Sequence, residues 1–461
     1  MKVMSIHKKT FDYLVIGAGS GGLLVAVGLL GLGKDVVVVS ENIGGDCTHF
    51  GCIPSKSFLN LAKTYHTECD LEKNKKIKET ALNKVQEIVS SFAAEENHLI
   101  PESRYFQGKA SFINDNSVQI DDQSKTIISF RKKCIIATGS RPVRVTIDGV
   151  TPNKVITNEE LFYLKKLPRS ITVLGGGPIG AEMATACTLF GVETHLVSRS
   201  FLPKEPGKIS QLGLQQLQEH GVLYYSARPE KLRNKQLFLD DGTTIPETDL
   251  YLSAVGRIPN IEIGLDKAGV SYDKTGIQVS KNLVTTNRNI FAIGDCTQNP
   301  QFTHLAANHG KFVLKKVMIP FAQRKDRALP RVTFTFPLVA SVGELEESQQ
   351  VKIFPLNFFQ TDRALTNQDK LSYGEVAIDT SSGLIVGVSL FGSFSEDLIN
   401  VFTLLIDGRT PLLSLSDFIT PYPTYSNIFH NLVLDYLSYL RTNWKKSLLP
   451  TIKQLMPYLL T

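Results

Sequence analysis

Two segments of the chain share one order of apolar and polar positions. Residues 11–41, FDYLVIGAGSGGLLVAVGLLGLGKDVVVVSE, contain an apolar strand, a glycine-rich turn, an apolar helix and a valine-rich strand. The same order recurs in residues 170–199, SITVLGGGPIGAEMATACTLFGVETHLVSR. Strands that are apolar throughout are typical of parallel sheets covered on both faces. A crossover between parallel strands is right-handed. The pattern therefore predicts two doubly wound, Rossmann-like units.

The rest of the chain divides by its periodicity. Residues 57–100 are rich in lysine and glutamate at helical spacing, which predicts one long solvated helix. Short alternating runs after residue 101 predict strands, and alternating runs after residue 330 predict a sheet followed by helices. The sequence thus predicts an α/β protein with an additional C-terminal α+β domain. The predicted domains are 1–150 completed by 285–330, then 151–284, and then 331–461.

Composition narrows the class of protein. The chain of 461 residues is too long for one core, and its net charge of +6 is spread along the sequence, which gives no indication of a nucleic-acid partner. No apolar run reaches the length of a membrane span, and the N-terminus leads directly into a strand pattern. Six cysteines are too few for a disulfide scaffold, so we predict a cytoplasmic protein.

The basic amphipathic tail, 432–461, is predicted to pack on its domain, with peripheral membrane contact as the less favoured alternative.

The first glycine turn has the spacing of a dinucleotide site. Gly17, Gly19 and Gly22 form a G-x-G-x-x-G frame between strand and helix. In such a turn the pyrophosphate lies close to the backbone, at the helix N-terminus. The acid that holds the adenosine ribose is expected at the end of the next strand, where counting gives Ser40, with Glu41 directly after it. The sequence leaves open which of the two holds the ribose.

The second turn has the same frame with a different ending. Gly175, Gly177 and Gly180 are followed by a strand that ends at Ser198 and Arg199, with no acid. An arginine at this point can accept the 2′-phosphate of NADPH, so NADPH is favoured over NADH. Two dinucleotide sites on one chain indicate transfer of hydride from a nicotinamide to a second carrier, for which a flavin is suited.

Cys47 and Cys52 lie five positions apart in GGDCTHFGCIPSK. A metal clip is disfavoured because zinc requires four ligands, and only His49 is near enough in sequence to be a third. Five residues of regular helix rise about 7.5 Å, whereas a disulfide needs Cα atoms about 4.4–6.8 Å apart. A bridge between them therefore requires an irregular helix start, for which Gly51 is suited. A dithiol at a helix N-terminus has a lowered thiol pKa and a reactive thiolate.

Several motifs in order give the chain a family resemblance. They are the first glycine turn, GGDC…GCIPSK, ATGSRP, GGGPIGAE, AVGRIPN and IFAIGDC. The chain resembles the class I pyridine nucleotide-disulfide oxidoreductases, the group of dihydrolipoamide dehydrogenase, glutathione reductase and mercuric reductase, to about residue 430. QFTH, VTFTFP and YPT bring it closest to the mercuric reductase-like branch. The resemblance implies an FAD-binding first domain, an NAD(P)-binding second domain and a homodimer formed through the third.

The resemblance also implies roles for single residues. Cys52 would be the charge-transfer thiol at the flavin and Cys47 the interchange thiol that meets the substrate. Lys56 would lie beside flavin N5 and pair with Glu182. The expected FAD-binding residues are Gly17, Gly19, Ser20, Gly22, Ser40, Glu41, Gly45, Asp46, Lys56, Thr138, Gly139, Gly294 and Asp295. The expected NADP-binding residues are Gly175, Gly177, Gly180, Ser198, Arg199 and Gly256.

One stretch departs from the family pattern. Disulfide-reducing members carry His-Pro-Thr followed by a glutamate, whereas this chain has PYPTYSN, with Tyr422 for the histidine and Asn427 for the glutamate. A tyrosine, with an ordinary pKa of about 10, is a poor proton shuttle at neutral pH. His430 and His49 are nearby substitutes, although each is more often an incidental polar residue.

The lack of the usual histidine and glutamate determines which electron acceptor we predict. We predict electron transfer from NAD(P)H through FAD and the dithiol to a metal ion or quinone. Full mercuric reductase activity is not expected, because no cysteine follows Cys296. The alternatives are a low-molecular-weight disulfide reductase with an unconventional acid, and an FAD-binding redox sensor with negligible turnover.

Overall fold

The computed structural model describes residues 8–122 and 124–443. The helices are α1 Ser20–Gly31, α2 Gly45–His49, α3 Cys52–Thr67, α4 Leu71–Asn97, α5 Asn158–Leu161, α6 Pro178–Leu189, α7 Gly207–Glu219, α8 Thr303–Met318, α9 Asp362–Thr366, α10 Ser395–Gly408 and α11 Ile428–Thr442. The strands are β1 Lys8–Gly19, β2 Val36–Gly44, β3 Tyr105–Gln107, β4 Ala110–Asn114, β5 Ser117–Ile120, β6 Ile127–Ile136, β7 Ser140–Pro142, β8 Val155–Ile156, β9 Ser170–Leu174, β10 Glu193–Val197, β11 Leu223–Tyr225, β12 Pro229–Arg233, β13 Gln236–Leu239, β14 Thr244–Pro246, β15 Leu250–Ser253, β16 Arg257–Pro259, β17 Tyr272–Asp273, β18 Gly276–Ile277, β19 Ile290–Ala292, β20 Arg331–Thr333, β21 Val339–Gly343, β22 Val351–Leu356, β23 Tyr373–Asp379 and β24 Leu384–Phe391.

The chain forms two compact units, each built from separate stretches of sequence. Of the described residues, the first unit holds 8–169, 231–237 and 246–325. The second unit holds 170–230, 238–245 and 326–443. The division into three domains, based on the sequence pattern, stays a prediction.

The first unit is organised around a seven-stranded sheet. Its order is β3-β2-β1-β6-β5-β4, with β19 also paired to β6. The five strands β1, β2, β3, β6 and β19 are parallel, and Val15 in β1 pairs with Val38 in β2 and Ile135 in β6. Leu14 and Val15 belong to different buried clusters, so apolar side chains cover both faces of the sheet. This is the doubly wound arrangement that the continuous apolar strands predict.

The lysine- and glutamate-rich stretch was predicted as one helix, and that prediction is wrong. The structure has two helices there, because α3 ends at Thr67 and α4 begins at Leu71. Asp70 caps α4, since its carboxylate accepts hydrogen bonds from the backbone N–H groups of Glu72 and Lys73. The aspartate thus satisfies backbone donors at the start of the second helix, while the extended backbone of Glu68 ends the first.

The second unit contains a parallel and an antiparallel part. Strands β9, β10 and β11 are parallel, with β10 between the other two. The C-terminal sheet is antiparallel, in the order β20-β21-β24-β23-β22. Its apolar side chains share one core with α10 and α11. The part of the predicted tail that lies in α11 packs into this core, while residues 444–461 lie outside the described residues.

No helix among the described residues is long and apolar enough to cross a membrane.

Candidate active site

The first glycine turn is shaped by close backbone contacts. Gly17 has a φ of +96°, and a Cβ placed on it would lie 2.3 Å from the carbonyl oxygen of Ala137. A Cβ on Gly22 would lie 2.0 Å from the carbonyl oxygen of Gly17. Only glycine fits at both positions, so the strand can turn directly into α1. The N-terminus of α1 thereby faces the space beyond the sheet edge.

That space is a cavity of about 1140 Å³ within the first unit. Its volume exceeds the roughly 300–1000 Å³ of common ligand pockets, which leaves room for a dinucleotide. The expected FAD-binding residues in its wall are Gly17, Gly19, Ser20, Ser40, Glu41, Gly45, Asp46, Thr138, Gly139, Gly294 and Asp295. Gly22 lies under the turn, and Lys56 is not part of the wall.

Of the two candidates for the ribose, only Glu41 offers a carboxylate. The hydroxyl of Ser40 accepts a hydrogen bond from the backbone N–H of Ala18 at 3.1 Å and donates to the carbonyl of Asn42 at 2.8 Å. Glu41 is exposed, lines the cavity and lies 3.4 Å from the ammonium group of Lys109. Glu41 therefore has the acceptor that a ribose diol needs.

These features together fit FAD. The glycine turn and helix N-terminus suit a pyrophosphate, Glu41 suits a ribose, and the wall also includes Cys47. When bound there, FAD would supply a carrier that takes hydride from a nicotinamide and gives electrons to sulfur.

The two cysteines lie at a break between helices. α2 ends at His49, and α3 begins at Cys52, with Gly51 preceding it as the N-cap residue. The irregular helix start expected at Gly51 is present. Gly44 and Gly45 have φ angles of +90° and +61°, which turn the chain from β2 into α2. Both cysteines are free thiols in this structure and are partly buried.

The surroundings of the dithiol shift the pKa values of the two thiols in opposite directions. The hydrogen bond from Cys47 lowers the pKa of Cys52 to about 6, against the opposing effect of burial, and the hydroxyl of Thr303 and the charge of Lys56 lower it further. The sulfur of Cys52 lies 3.3 Å from the Thr303 hydroxyl oxygen. The same hydrogen bond, together with burial, raises the pKa of Cys47. At neutral pH the reduced pair is therefore a Cys52 thiolate beside a Cys47 thiol.

A partly buried arginine, Arg257, joins the cysteine segment to Asp295 through Ser140. The guanidinium of Arg257 lies 3.0 Å from Asp46 Oδ1 in an ion pair and donates to the hydroxyl and carbonyl of Ser140 at 2.8 Å each. Ser140 in turn donates to Asp295 Oδ2 at 2.9 Å. Burial raises the pKa of Asp295. This network fixes two predicted cavity residues, Asp46 and Asp295.

The second glycine turn has the expected backbone geometry. Gly175 has a φ of +113°, and its N–H donates to the carbonyl of Val197 at 3.0 Å. Gly177 precedes α6 as its N-cap residue, and Gly180 is buried inside that helix. After β10, Ser198 donates to the carbonyl of Ser200.

Arg199 already has a partner in the second unit. A terminal guanidinium nitrogen of Arg199 lies 2.6 Å from Asp240 Oδ2, and the arginine side chain is 58% exposed. The other carboxylate oxygen of Asp240 accepts from the backbone N–H of Arg228 at 2.8 Å. A phosphate at Arg199 would thus compete with Asp240.

Lys56 belongs to the first unit and Glu182 to the second, so the predicted pair between them stays a prediction. Glu182 is buried in α6, and its Oε1 accepts a hydrogen bond from the backbone N–H of Phe334 at 3.1 Å. Gly256, expected at the nicotinamide site, belongs to the first unit, with a φ of +132°.

Tyr422 and Asn427 have separate hydrogen-bond partners in the second unit. The exposed Tyr422 donates its phenolic proton to Asp362 Oδ2 at 2.8 Å, which raises the pKa of the tyrosine. The side chain of Asn427 instead accepts from the N–H of Thr424 and donates to Thr420.

The two histidines named as substitutes also have distinct settings. His49 lies in α2, and its Nε2 is 2.8 Å from the carbonyl of Ile43. His430 lies on the exposed side of α11.

Three polar residues at these sites were not predicted: Thr303, Arg257 and Asp362. Thr303 belongs to QFTH and Arg257 to AVGRIPN, both of which stand out as motifs without indicating a contact. Nothing in the sequence indicates Asp362, because its contact with Tyr422 joins residues that are 60 positions apart in the chain. No group of three or more His, Cys, Asp or Glu side chains within 8–122 and 124–443 is placed to hold a metal ion.

A dinucleotide cavity, a second glycine turn and a polarised dithiol define a thiol–disulfide oxidoreductase that uses nicotinamide and flavin. The chain belongs to the pyridine nucleotide-disulphide oxidoreductase family, whose model matches residues 11–310. The dimerisation domain of the same family matches residues 329–433. The predicted family, fold class and enzyme class are confirmed. Members of the family bind FAD and NAD(P)H, and the dimerisation domain supports a homodimer.

Characterised relatives cover nearly the whole chain. Dihydrolipoyl dehydrogenase of Bacillus subtilis (strain 168) is 29% identical over 90% of this chain and 94% of its own length. Mercuric reductase of Staphylococcus aureus is 28% identical over 90% of this chain and 80% of its own.

Solved structures agree with this assignment. The HOCl-induced flavoprotein disulfide reductase RclA from Escherichia coli is 26% identical, with a TM-score of 0.81 over 91% of this chain and 99% of that one. Its Cu(II) complex is 26% identical, with a TM-score of 0.83 over 92% of this chain and 99% of that one.

Proposed function

We propose that this enzyme transfers electrons from NADPH, with FAD as carrier, through the Cys47–Cys52 dithiol to a thiophilic metal ion, with a quinone as the second acceptor class. In the chain's own chemistry, Cys52 is the thiolate that faces the carrier and Cys47 is the thiol that meets the acceptor. Lys56 and Thr303 favour the Cys52 thiolate by charge and hydrogen bonding. Glu41 binds the ribose, and the first glycine turn binds the pyrophosphate.

The observation that carries the choice of acceptor is the hydrogen bond from Tyr422 to Asp362. Reduction of an ordinary disulfide releases a thiolate that needs a proton donor with a pKa near neutral. A carboxylate partner raises the pKa of Tyr422 and makes it a weaker acid than a free tyrosine. A metal ion leaves no thiolate to protonate. The mercuric reductase relatives and the Cu(II) complex of RclA add support for a metal acceptor.

The preference for NADPH rests on Arg199. A 2′-phosphate can form charge-assisted hydrogen bonds with its guanidinium, at the cost of the exposed Asp240 pair. No carboxylate stands at the end of β10 to bind the free 2′-hydroxyl of NADH.

A low-molecular-weight disulfide reductase is the second candidate. Its support is the whole-length similarity to dihydrolipoyl dehydrogenases. It requires an acid other than Tyr422.

The test is an acceptor panel with purified FAD-containing enzyme and NADPH. Cu(II), Hg(II), menadione, oxidised lipoamide and glutathione disulfide are compared in wild type and Cys47→Ser. Because NADPH and two Cu(II) give NADP⁺, a proton and two Cu(I), Cu(I) is measured with a chelating dye alongside NADPH loss. We expect Cys47-dependent turnover with metal ions. Faster turnover with either disulfide would overturn the choice of acceptor, and quinone turnover that survives Cys47→Ser would place quinone reduction outside the dithiol.

A further inference from the structure

A second carboxyl group lies in the cavity wall that contains Cys47. Glu159 belongs to the one-turn helix α5 and lines the same cavity as Asp46, Cys47 and Phe50. The helix turn is held by a capping box: the carboxylate of Glu160 accepts from the backbone N–H of Thr157 at 2.7 Å, and the Thr157 hydroxyl accepts from the N–H of Glu159. The backbone at Glu159 is therefore fixed.

A hydrogen bond ties this helix turn to the cysteine loop. The side-chain amide of Asn158 donates to the carbonyl of Phe50 at 2.8 Å. Phe50 lies between the two cysteines, and Asn158 directly precedes Glu159. Asn158 is buried, so the link is shielded from water. This hydrogen bond holds the backbone segment that carries Glu159 beside the loop between the two cysteines.

The charged neighbours of Glu159 do not neutralise it. Asp46 on α2, Arg257 on β16 and Arg144 after β7 all act on its carboxylate. Arg257 is paired with Asp46, and Arg144 is paired with Glu160. Burial and the charge of Asp46 raise the pKa of Glu159, against the opposing effect of the two arginines. Glu159 is therefore a stronger base than an ordinary exposed glutamate.

The dithiol needs a proton carrier of this kind. Opening the disulfide takes two electrons and one proton: the S–S bond breaks, Cys52 becomes the thiolate and Cys47 becomes the thiol. Donation of electrons by Cys47 requires loss of that proton, and the Cys52 thiolate makes the loss unfavourable. In this enzyme class a histidine in the PYPTYSN stretch would be the expected proton carrier, and Tyr422 stands in its place.

We propose that Glu159 carries the proton of the Cys47 thiol. Its carboxylate accepts the proton of the Cys47 thiol, directly or through one water in the cavity, when Cys47 reacts with the acceptor. In the reductive direction its carboxylic acid returns a proton to Cys47 as the disulfide opens, and solvent reprotonates Glu159. This inference rests on the proposed redox role of the dithiol.

The test measures thiol chemistry rather than turnover. Purified protein is reduced with a phosphine, freed of reductant and treated with iodoacetamide at pH 5–9, and alkylation at Cys47 is followed by mass spectrometry. In Glu159→Gln we expect the rate at Cys47 to fall about 100-fold at pH 7, the low end of general-base effects. Glu159→Asp should recover part of that rate. Glu87→Gln, at an exposed position of α4 in the same unit, should behave as wild type.

Whether the alkylation rate of Cys47 falls or rises in Glu159→Gln shows whether Glu159 carries the proton or only repels the thiolate by its charge. If Glu159 only repels the Cys47 thiolate, its neutralisation lowers the pKa of Cys47 and speeds alkylation. An unchanged or faster rate in Glu159→Gln would overturn the inference, provided the thermal unfolding midpoint stays near that of wild type. If the midpoint falls, Glu159→Asp decides, because a retained carboxylate must restore the rate.

Failure of the proposed function has a different signature. In that case, addition of NADPH to the wild-type enzyme would not reduce the Cys47–Cys52 disulfide, and no free thiols would form at these two cysteines. The alkylation result on phosphine-reduced protein stands independently of it.

Discussion

The functional groups of the two units differ in how they are held. In the first unit, Cys52, Thr303 and Arg257 are half-buried. The sulfur of Cys52 lies 3.3 Å from the Thr303 hydroxyl oxygen, while Arg257 forms an ion pair with Asp46 and donates to Ser140. In the second unit, Arg199 and Tyr422 are exposed, and each is held by one aspartate. Exposed pairs contribute about 0–1 kcal/mol, whereas buried polar networks are costly to disturb. Under the proposed function, we therefore expect the dithiol step to depend on the half-buried contacts of the first unit, and the choice of nucleotide and acceptor to depend on the exposed contacts of the second.

The largest effect is expected from loss of the thiol that meets the acceptor. Cys47→Ser should lower metal-dependent NADPH oxidation by at least about 1000-fold, because the dithiol acts as a unit and no other thiol can replace it. Stopped-flow absorbance should still show reduction of the flavin by NADPH. Metal turnover within tenfold of wild type would contradict the role of Cys47.

A smaller effect is expected at the Cys52 thiolate. The pKa of Cys52 is lowered to about 6, so its thiolate forms as pH rises through that value and is lost below it. Thr303→Val removes a hydrogen bond to the thiolate and should raise this pKa by about one unit, which corresponds to roughly 1.4 kcal/mol. The measurement is the pH dependence of Cys52 alkylation, with Thr64→Val, at an exposed position of α3 in the same unit, as the control. An unchanged midpoint would show that Thr303 does not stabilise the thiolate.

The exposed Arg199–Asp240 pair should act on the choice of nucleotide. Arg199→Ala is expected to raise the KM for NADPH about tenfold and to leave the KM for NADH within about twofold, because one charged contact to the 2′-phosphate is lost. Asp240→Asn releases Arg199 and should lower the KM for NADPH. Equal changes with both nucleotides in either variant would contradict a 2′-phosphate contact at Arg199.

The smallest effect is expected from Tyr422. With a metal acceptor, Tyr422→Phe should change kcat by less than about twofold, because no leaving thiol needs its proton. Asp362→Asn should likewise have little effect. A loss of tenfold or more in Tyr422→Phe with Cu(II) would show that the phenol takes part in metal reduction.

The sequence predicted the parts whose residues are close together along the chain. The two glycine frames and the C-x4-C segment were recognisable because turn, helix and thiols are adjacent, and the structure has the turns and the helix break where they were expected. Contacts made only on folding were not predictable. Thr303 meets Cys52 across 251 positions, and Glu159 faces Asp46 through a charge interaction that no motif encodes. The break at Asp70 was missed because the helical spacing of lysine and glutamate continues on both sides of the cap.

The most direct test of the account is a single-turnover oxidation of the reduced dithiol. Enzyme reduced with one equivalent of NADPH is mixed with two equivalents of Cu(II) or one of oxidised lipoamide, and free thiols are counted over time. The account predicts that Cu(II) removes two thiols per chain at Cys47 and Cys52 while oxidised lipoamide leaves both in place. Oxidation of the pair by lipoamide as fast as by Cu(II) would contradict it.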